Sequence, residues 1–280
     1  MFLTRLFTTV TLLTSLSFLI IFSHGPFGIL IPFILAALSF FGIKEYFLMM
    51  KNKEINADIK ILPILSIFYI FCVYKFVQYP VIMMNIDSLF IFLSLFIAFI
   101  SRFFLKSSLS DVAKTSEVMA SKIFAFIYIP WSLAFLIKIL FFINVDGRMF
   151  VFFVILASKA TDIFAYITGK LIGKQKLAKN ISPNKTVEGA IGGILGSICT
   201  GIIAQITFMK EFLSITQVIF IALVISVISI LGDLAESLIK RDTGFKDSGA
   251  SIPGLGGVLD LVDSILFTVP AMYFIMVLIS

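Results

Sequence analysis

The chain has 280 residues, 60% of them hydrophobic and only 14% charged, with 33 Phe and a mean hydropathy of +1.11. Soluble domains carry roughly 45–50% apolar and about 25% charged residues, so this composition excludes a soluble globular chain and points to a polytopic membrane protein. The formal charge of +6 is not a nucleic-acid footprint, because its cations follow the membrane; Cys72 and Cys199, both inside apolar runs, suggest neither a disulfide framework nor a thiolate metal site.

A helix crossing about 30 Å of hydrocarbon needs about 20 apolar residues. Nine runs qualify, near 6–22, 26–43, 59–77, 80–100, 122–143, 149–169, 187–208, 215–232 and 258–279, which predicts an all-α integral membrane protein with about nine transmembrane helices. The first run follows Arg5 as in a signal peptide, but it is long and no small-residue cleavage pattern precedes Ser23, His24 and Gly25, so it reads as a retained span. The connections after spans two, four, six and eight, together with Arg5, hold 17 of the 22 Lys and Arg. This positive-inside pattern puts the N-terminus in the cytoplasm and the C-terminus outside, across the inner or plasma membrane.

Residues 1–143 read as scaffold spans, rich in Phe, Leu and Ile, and residues 144–280 as the half that carries a site, since nine of the 16 acidic residues fall at or after Asp162. In the first half His24, the only histidine, lies in a short outer loop with no reason to be catalytic. Glu45-Tyr46 reads either as an interface anchor or as a brace against the site, Lys106–Lys122 as a surface-lying amphipathic connector, and Trp131 as a packing or interfacial group.

Span six ends in SKATDIFAYITGKLIGKQK. Lys159 and Asp162, three apart on a helix, form either an ion pair that only fixes packing or, with Tyr166 on the face of Asp162, the lining of a polar cavity. In the following KNISPNKTVEGAIGGILG, Pro183 breaks the helix, Thr186 or Asn184 caps the next one, and Glu188 falls in its first turn. The free amides there, beside Lys185 and the lysine-rich loop before it, suit a phosphate, although no Walker A spacing is present. Gly189/Gly193 and Gly192/Gly196 are small-xxx-small pairs that mark close helix packing in lipid.

From Gly232 to Ser264 the chain concentrates six carboxylates and three cations between two apolar runs, where charge is costly. Asp233, Glu236 and Lys240 form one helical stripe, and Asp260 and Asp263 fall at i and i+3 as span nine begins. If spans eight and nine are adjacent, Asp233 and Asp260 converge as oxygen ligands for a hard ion such as Mg²⁺; the alternative is a salt-bridge network closing the cytoplasmic face.

The run Ser237-Leu-Ile-Lys240-Arg241, followed after four residues by Lys246-Asp247-Ser-Gly249-Ala-Ser-Ile252-Pro253-Gly-Leu255-Gly256-Gly257-Val-Leu-Asp260-Leu261-Val-Asp263, resembles the diagnostic pattern of the phosphatidate cytidylyltransferases, or CDP-diacylglycerol synthases. Asp162-Ile-Phe-Ala-Tyr166 and Ser182-Pro183-Asn184-Lys185-Thr186-Val-Glu188-Gly189 resemble the other two polar blocks of that family, in the same order. Two positions depart: the family usually has His at the place of Leu255 and Arg at the place of Leu261, so any role for an imidazole or guanidinium there is absent or supplied elsewhere.

The resemblance implies cytidylyl transfer from CTP to phosphatidate at the cytoplasmic face, giving CDP-diacylglycerol and pyrophosphate, with Mg²⁺ alone or with a second cation and commonly as a homodimer. It implies a catalytic set of Asp233, Asp260, Lys240, Arg241, Lys246 and Asp247, and metal ligation by Asp233 and Asp260 with Asp263 and Glu236 as secondary ligands. Asp162, Tyr166, Ser182, Asn184, Lys185, Thr186, Glu188 and Ser237 are then the substrate-binding residues. Two alternatives remain: a related CTP-dependent transferase or kinase acting on a polyprenol, dolichol or ether lipid, and a secondary transporter. The transporter predicts inverted repeats, and the sequence has none.

Overall fold

The computed structural model describes residues 20–53, 55, 60–103, 114–143, 145–249, 251 and 256–279. Apolar runs in lipid must satisfy their backbone polar groups within the segment, and these do so as helices. They are α1 (Leu30–Lys51, entered through a 3₁₀ turn at Pro26–Ile29), α2 (Ile61–Phe76), α3 (Pro80–Phe103) and α4 (Thr115–Leu140), then α5 (Gly147–Ile172). After two short strands, β1 (Lys176–Ala178) and β2 (Ser182–Thr186), come α6 (Val187–Met209), α7 (Ile215–Asp242), the one-turn α8 (Val258–Val262) and α9 (Ile265–Ile279).

The protein is an all-α polytopic membrane protein. Among the described residues seven helical segments are long and apolar enough to span a bilayer, and α2 is a shorter apolar helix. The expected span near 6–22 lies outside the described residues up to Leu19, as do Lys106 and Leu255. The described end of the expected connector is not surface-lying: Thr115–Lys122 opens α4, where Lys122 is 2% exposed and donates to the Ser101 hydroxyl at 2.6 Å.

Two local features depart from the expectation. The loop after α5 is a small antiparallel hairpin, Lys176 opposite Thr186 and Ala178 opposite Ser182. Pro183 stands in β2, which has only one partner strand and so tolerates a residue with no N–H to donate. Expected span nine is interrupted: α8 ends at Val262, and Asp263 and Ser264 form a turn before α9, so Asp263 is not on the helix that carries Asp260. The Asp263 Oδ1 accepts the Ser264 N–H at 2.6 Å, a local bond that competes with the helical ladder.

The chain packs as two compact units, one formed by residues up to Phe141 with Asp242–Leu261, the other by Phe142–Arg241 with Val262 onward. In the first, Pro130 removes a ladder hydrogen bond and α4 widens into a π turn at Ile127–Trp131. The same unit holds a charge pair that no local spacing announces. Lys138 donates to Asp87 Oδ2 at 2.5 Å, Tyr69 donates to Asp87 Oδ1 at 2.8 Å, and the ammonium lies 4.1 Å from the Phe135 ring centre.

In the second unit α5 and α6 approach through glycine. A Cβ at Gly193 would stand 2.8 Å from the Thr161 carbonyl oxygen and 3.1 Å from Ala165 Cβ; one at Gly189 would stand 2.8 Å from the Ala165 carbonyl oxygen. The small-residue stripe is therefore a helix-packing surface. Ser158 and Ser229 hydroxyls, 2.9 Å apart, tie α5 to α7, and Ser197 donates to the Ala222 carbonyl at 3.2 Å, tying α6 to α7. Gly193→Ala is expected to lower the unfolding midpoint in detergent, by an overpacking cost of about 1–3 kcal/mol. Gly25→Ala is the control, because its Cβ would meet only the Phe22 carbonyl oxygen, at 3.5 Å; equal midpoints for the two variants would contradict this packing.

Candidate functional site

Three elements of the second unit deliver polar side chains to one cavity of about 430 Å³. α5 contributes Asp162, Tyr166 and Lys170, β2 contributes Ser182, Asn184, Lys185 and Thr186, and α7 contributes Asp233. Glycine makes the convergence possible: Gly169 of α5 and Gly189 of α6 both line the cavity, and at each a Cβ would come within about 3 Å of Thr186 Oγ1. Thr186 is the N-cap of α6, its hydroxyl accepting the Gly189 N–H at 3.1 Å, so the cap that starts the helix also forms part of the wall.

The aspartates of the cavity are paired, one across elements and one within its own helix. Lys185 donates to Asp233 Oδ2 at 3.1 Å, joining β2 to α7, and Lys159 donates to Asp162 Oδ2 at 3.3 Å within α5. The Lys159–Asp162 pair does more than fix packing, since the ion pair forms and its aspartate faces the cavity. Asp263 stands within electrostatic reach of Asp233, Lys159 and Asp162. Three carboxylates and three ammonium groups, Lys159, Lys170 and Lys185, thus share this part of the unit.

Other expected residues sit around the cavity in bracing roles. Glu188 turns back to accept the backbone N–H groups of Lys174 at 3.0 Å and Gln175 at 3.2 Å, fixing the loop between α5 and β1. Glu236 is buried and pairs with Lys240 one turn on, at 2.5 Å, and Ser237 lies one turn beyond Asp233, outside the cavity lining. Arg241 donates through Nε to the Ile181 carbonyl at 3.2 Å, holding the hairpin turn against the end of α7.

In the first unit Asp260 is bound into the segment that begins at Asp242. Its Oδ2 accepts the Ser248 N–H at 3.0 Å, the Ser248 hydroxyl at 3.0 Å and the Gly257 N–H at 2.8 Å. Gly256 takes a positive φ of 107°, and any Cβ there would lie 2.6 Å from that same oxygen. Lys246 and Asp247 are exposed on this segment. Asp233 thus belongs to the second unit and Asp260 to the first. Glu45, left open between anchor and brace, is a brace: its carboxylate accepts hydrogen bonds from Ser248, Ser251 and Leu259. The signal available in the sequence was a single carboxylate at the end of an otherwise apolar span.

The sequence profile of the Cytidylyltransferase family matches residues 3–279. The chain is 47% identical over 119 residues to a phosphatidate cytidylyltransferase of Synechocystis sp., covering 42% of this chain and 40% of that protein. It is 43% identical over 139 residues to the phosphatidate cytidylyltransferase of Bacillus subtilis, covering 49% and 51%, and 42% identical over 132 residues to that of Staphylococcus epidermidis, covering 47% and 50%. The chain spans about half the length of the relatives it matches.

The Lys185–Asp233 contact is open to a double-mutant cycle. Lys185→Met and Asp233→Leu are each expected to lower stability in detergent, while the double variant loses less than their sum, with a coupling of about 1 kcal/mol. Strict additivity would mean that the two side chains do not interact.

Proposed function

The chain belongs to the cytidylyltransferase family, and from that premise we propose that it transfers the cytidylyl group of CTP to phosphatidate, giving CDP-diacylglycerol and pyrophosphate. The observation that carries the reading is the cavity of the second unit, where Asp162, Lys185 and Asp233 from three elements face one space beside the hydroxyls and amide of Ser182, Thr186 and Asn184. An oxygen of the lipid phosphate attacks the α-phosphorus of CTP, the bond from that phosphorus to the β-phosphate oxygen breaks, and pyrophosphate leaves with the electron pair. Such transfer needs positioning and charge neutralisation more than covalent chemistry.

Lys185 and Lys170 carry positive charge to the cavity wall and offset the charge of the triphosphate or the lipid phosphate. Ser182, Asn184 and Thr186 supply polar contacts, and Tyr166, largely exposed at the wall, gives the nucleotide or acyl-glycerol part an aromatic surface. Glu188, Arg241 and the Glu236–Lys240 pair keep the hairpin and the end of α7 in register. Asp260 holds the segment that carries Lys246, a cation for phosphate, and Asp247.

The donor chemistry fits Mg²⁺: two aspartates face the cavity and no softer ligand does. Among the described residues no group of three or more His, Cys, Asp and Glu is spaced as a metal cage. Asp162 and Asp233, with Asp263 within electrostatic reach, would therefore hold the ion together with substrate phosphate oxygens, as Mg²⁺ usually requires. When bound, Mg²⁺, alone or with a second cation, supplies charge neutralisation at those phosphates. The reading extends to a homodimer with its site on the cytoplasmic side of the cell membrane; the cation distribution supports that orientation.

Purified protein incubated with labelled CTP, phosphatidate and Mg²⁺ tests the reaction. Pyrophosphate and CDP-diacylglycerol are the expected products, whereas release of CDP with a phosphorylated lipid would mark a kinase. Asp233→Asn should lower product formation by about 10²–10³-fold while the protein still purifies as a folded species. Wild-type turnover in that variant would remove Asp233 from the site.

A further inference from the structure

Glu45 lies near the end of α1, 4% exposed, on a helix remote in sequence from everything its carboxylate binds. Its Oε1 accepts the Ser251 hydroxyl at 2.5 Å, and its Oε2 accepts the Leu259 N–H at 3.0 Å and the Ser248 hydroxyl at 3.3 Å. Two glycines of the same segment press against it. A Cβ at Gly249 would come within 2.8 Å of Oε1, and one at Gly257 within 2.6 Å of Oε2. The segment is thus moulded around one carboxylate at five positions, with Asp260 drawing Ser248 and Gly257 together from the other side. Just beyond α1, Asn52 donates to the Thr243 carbonyl at 3.4 Å and Lys53 pairs with Asp242 at 2.5 Å, so the segment is also held at its first two residues.

We propose that Glu45 is a positioning residue for cytidylyl transfer: it holds the stretch Asp242–Gly249 preformed against Ser251 and Leu259, so that Lys246 is in place for a phosphate without a separate ordering step. The proposal rests on the reaction assigned above. Physical chemistry favours a carboxylate in this place. It offers only acceptors, the segment presents three donors, and hydrogen bonds to an ionised acceptor are roughly twice as strong as neutral ones. A segment ordered before substrate arrives spares the reaction the entropy of ordering it.

The test compares Glu45→Ala, Glu45→Gln and Ser251→Ala in the purified full chain, reading kcat, the KM for CTP, and the rate of tryptic cleavage after Lys246, mapped by mass. The carboxamide keeps one acceptor oxygen for Ser248 and Leu259, and its NH₂ can donate to the Ser251 hydroxyl, so Glu45→Gln should hold the segment and keep kcat within about tenfold of wild type. Glu45→Ala should lower kcat by about 100-fold, shift KM by less than about threefold, and speed cleavage by about tenfold. Ser251→Ala, a milder change that serves if Glu45→Ala does not fold, should fall between wild type and Glu45→Ala in both cleavage rate and kcat. Wild-type kcat and cleavage in Glu45→Ala would overturn the proposal. So would a Glu45→Gln variant as inactive as Glu45→Ala yet cleaved at the wild-type rate, since the charge would then act on a ligand and not on the segment. If the wild-type protein makes no CDP-diacylglycerol, the assigned reaction fails by itself, and the cleavage series still decides whether Glu45 orders the segment.

Discussion

Charge inside an apolar helix persists only where something satisfies it. A carboxylate or ammonium at the bilayer centre costs about 2.5–3.5 kcal/mol on the mildest scales, and pairing is the usual remedy. In this protein that constraint links the helices. Lys138 and Tyr69 close on Asp87, Lys185 closes on Asp233, Lys159 on Asp162, and Lys240 on Glu236. Each partnership across elements ties helices that hydrophobic packing in lipid would leave free to slide, because lipid is as apolar as their side chains.

The pairs divide into two kinds by what surrounds them. Lys138 is 4% exposed and its ammonium is closed over by the Phe135 ring, so that network fixes α2, α3 and α4. Asp162, Lys185 and Asp233 keep part of their surface open and face a cavity large enough for the phosphates of a nucleotide. A paired charge that can exchange its partner for a ligand is a binding group. What distinguishes Asp162, Lys185 and Asp233 is therefore the cavity they face, not charge itself. The glycine stripe of α6 serves the same end: by letting α5 approach closely, it sets Thr186 and β2 beside the aspartate of α5.

Much of this was legible in the sequence because it follows from local spacing. Lys159 and Asp162 pair at three residues' separation, Thr186 caps α6, and the glycine pairs pack as a stripe, all fixed by helical geometry alone. The gathering of Asp162, Tyr166, Ser182, Asn184, Lys185, Thr186 and Asp233 in one cavity matches the polar blocks read along the chain. What was not legible depends on contacts between distant residues. The pairing of Asp87 with Lys138, 51 residues apart, and the grip of Glu45 on residues more than 200 positions away leave no periodic trace. The β1–β2 hairpin was hidden because Pro183 and a lysine-rich run read as a loop, and the break at Asp263–Ser264 was hidden because Asp260 and Asp263 keep a helical spacing across it.

The central claim is that the cavity among α5, β2 and α7 receives the phosphates of a nucleotide. Photo-crosslinking with an azido derivative of CTP, followed by peptide mapping, tests it most directly. The account predicts that the label lies on peptides from residues 161–190 or around Asp233 and is displaced by unlabelled CTP. Label confined to other parts of the chain, or label that CTP does not displace, would contradict it.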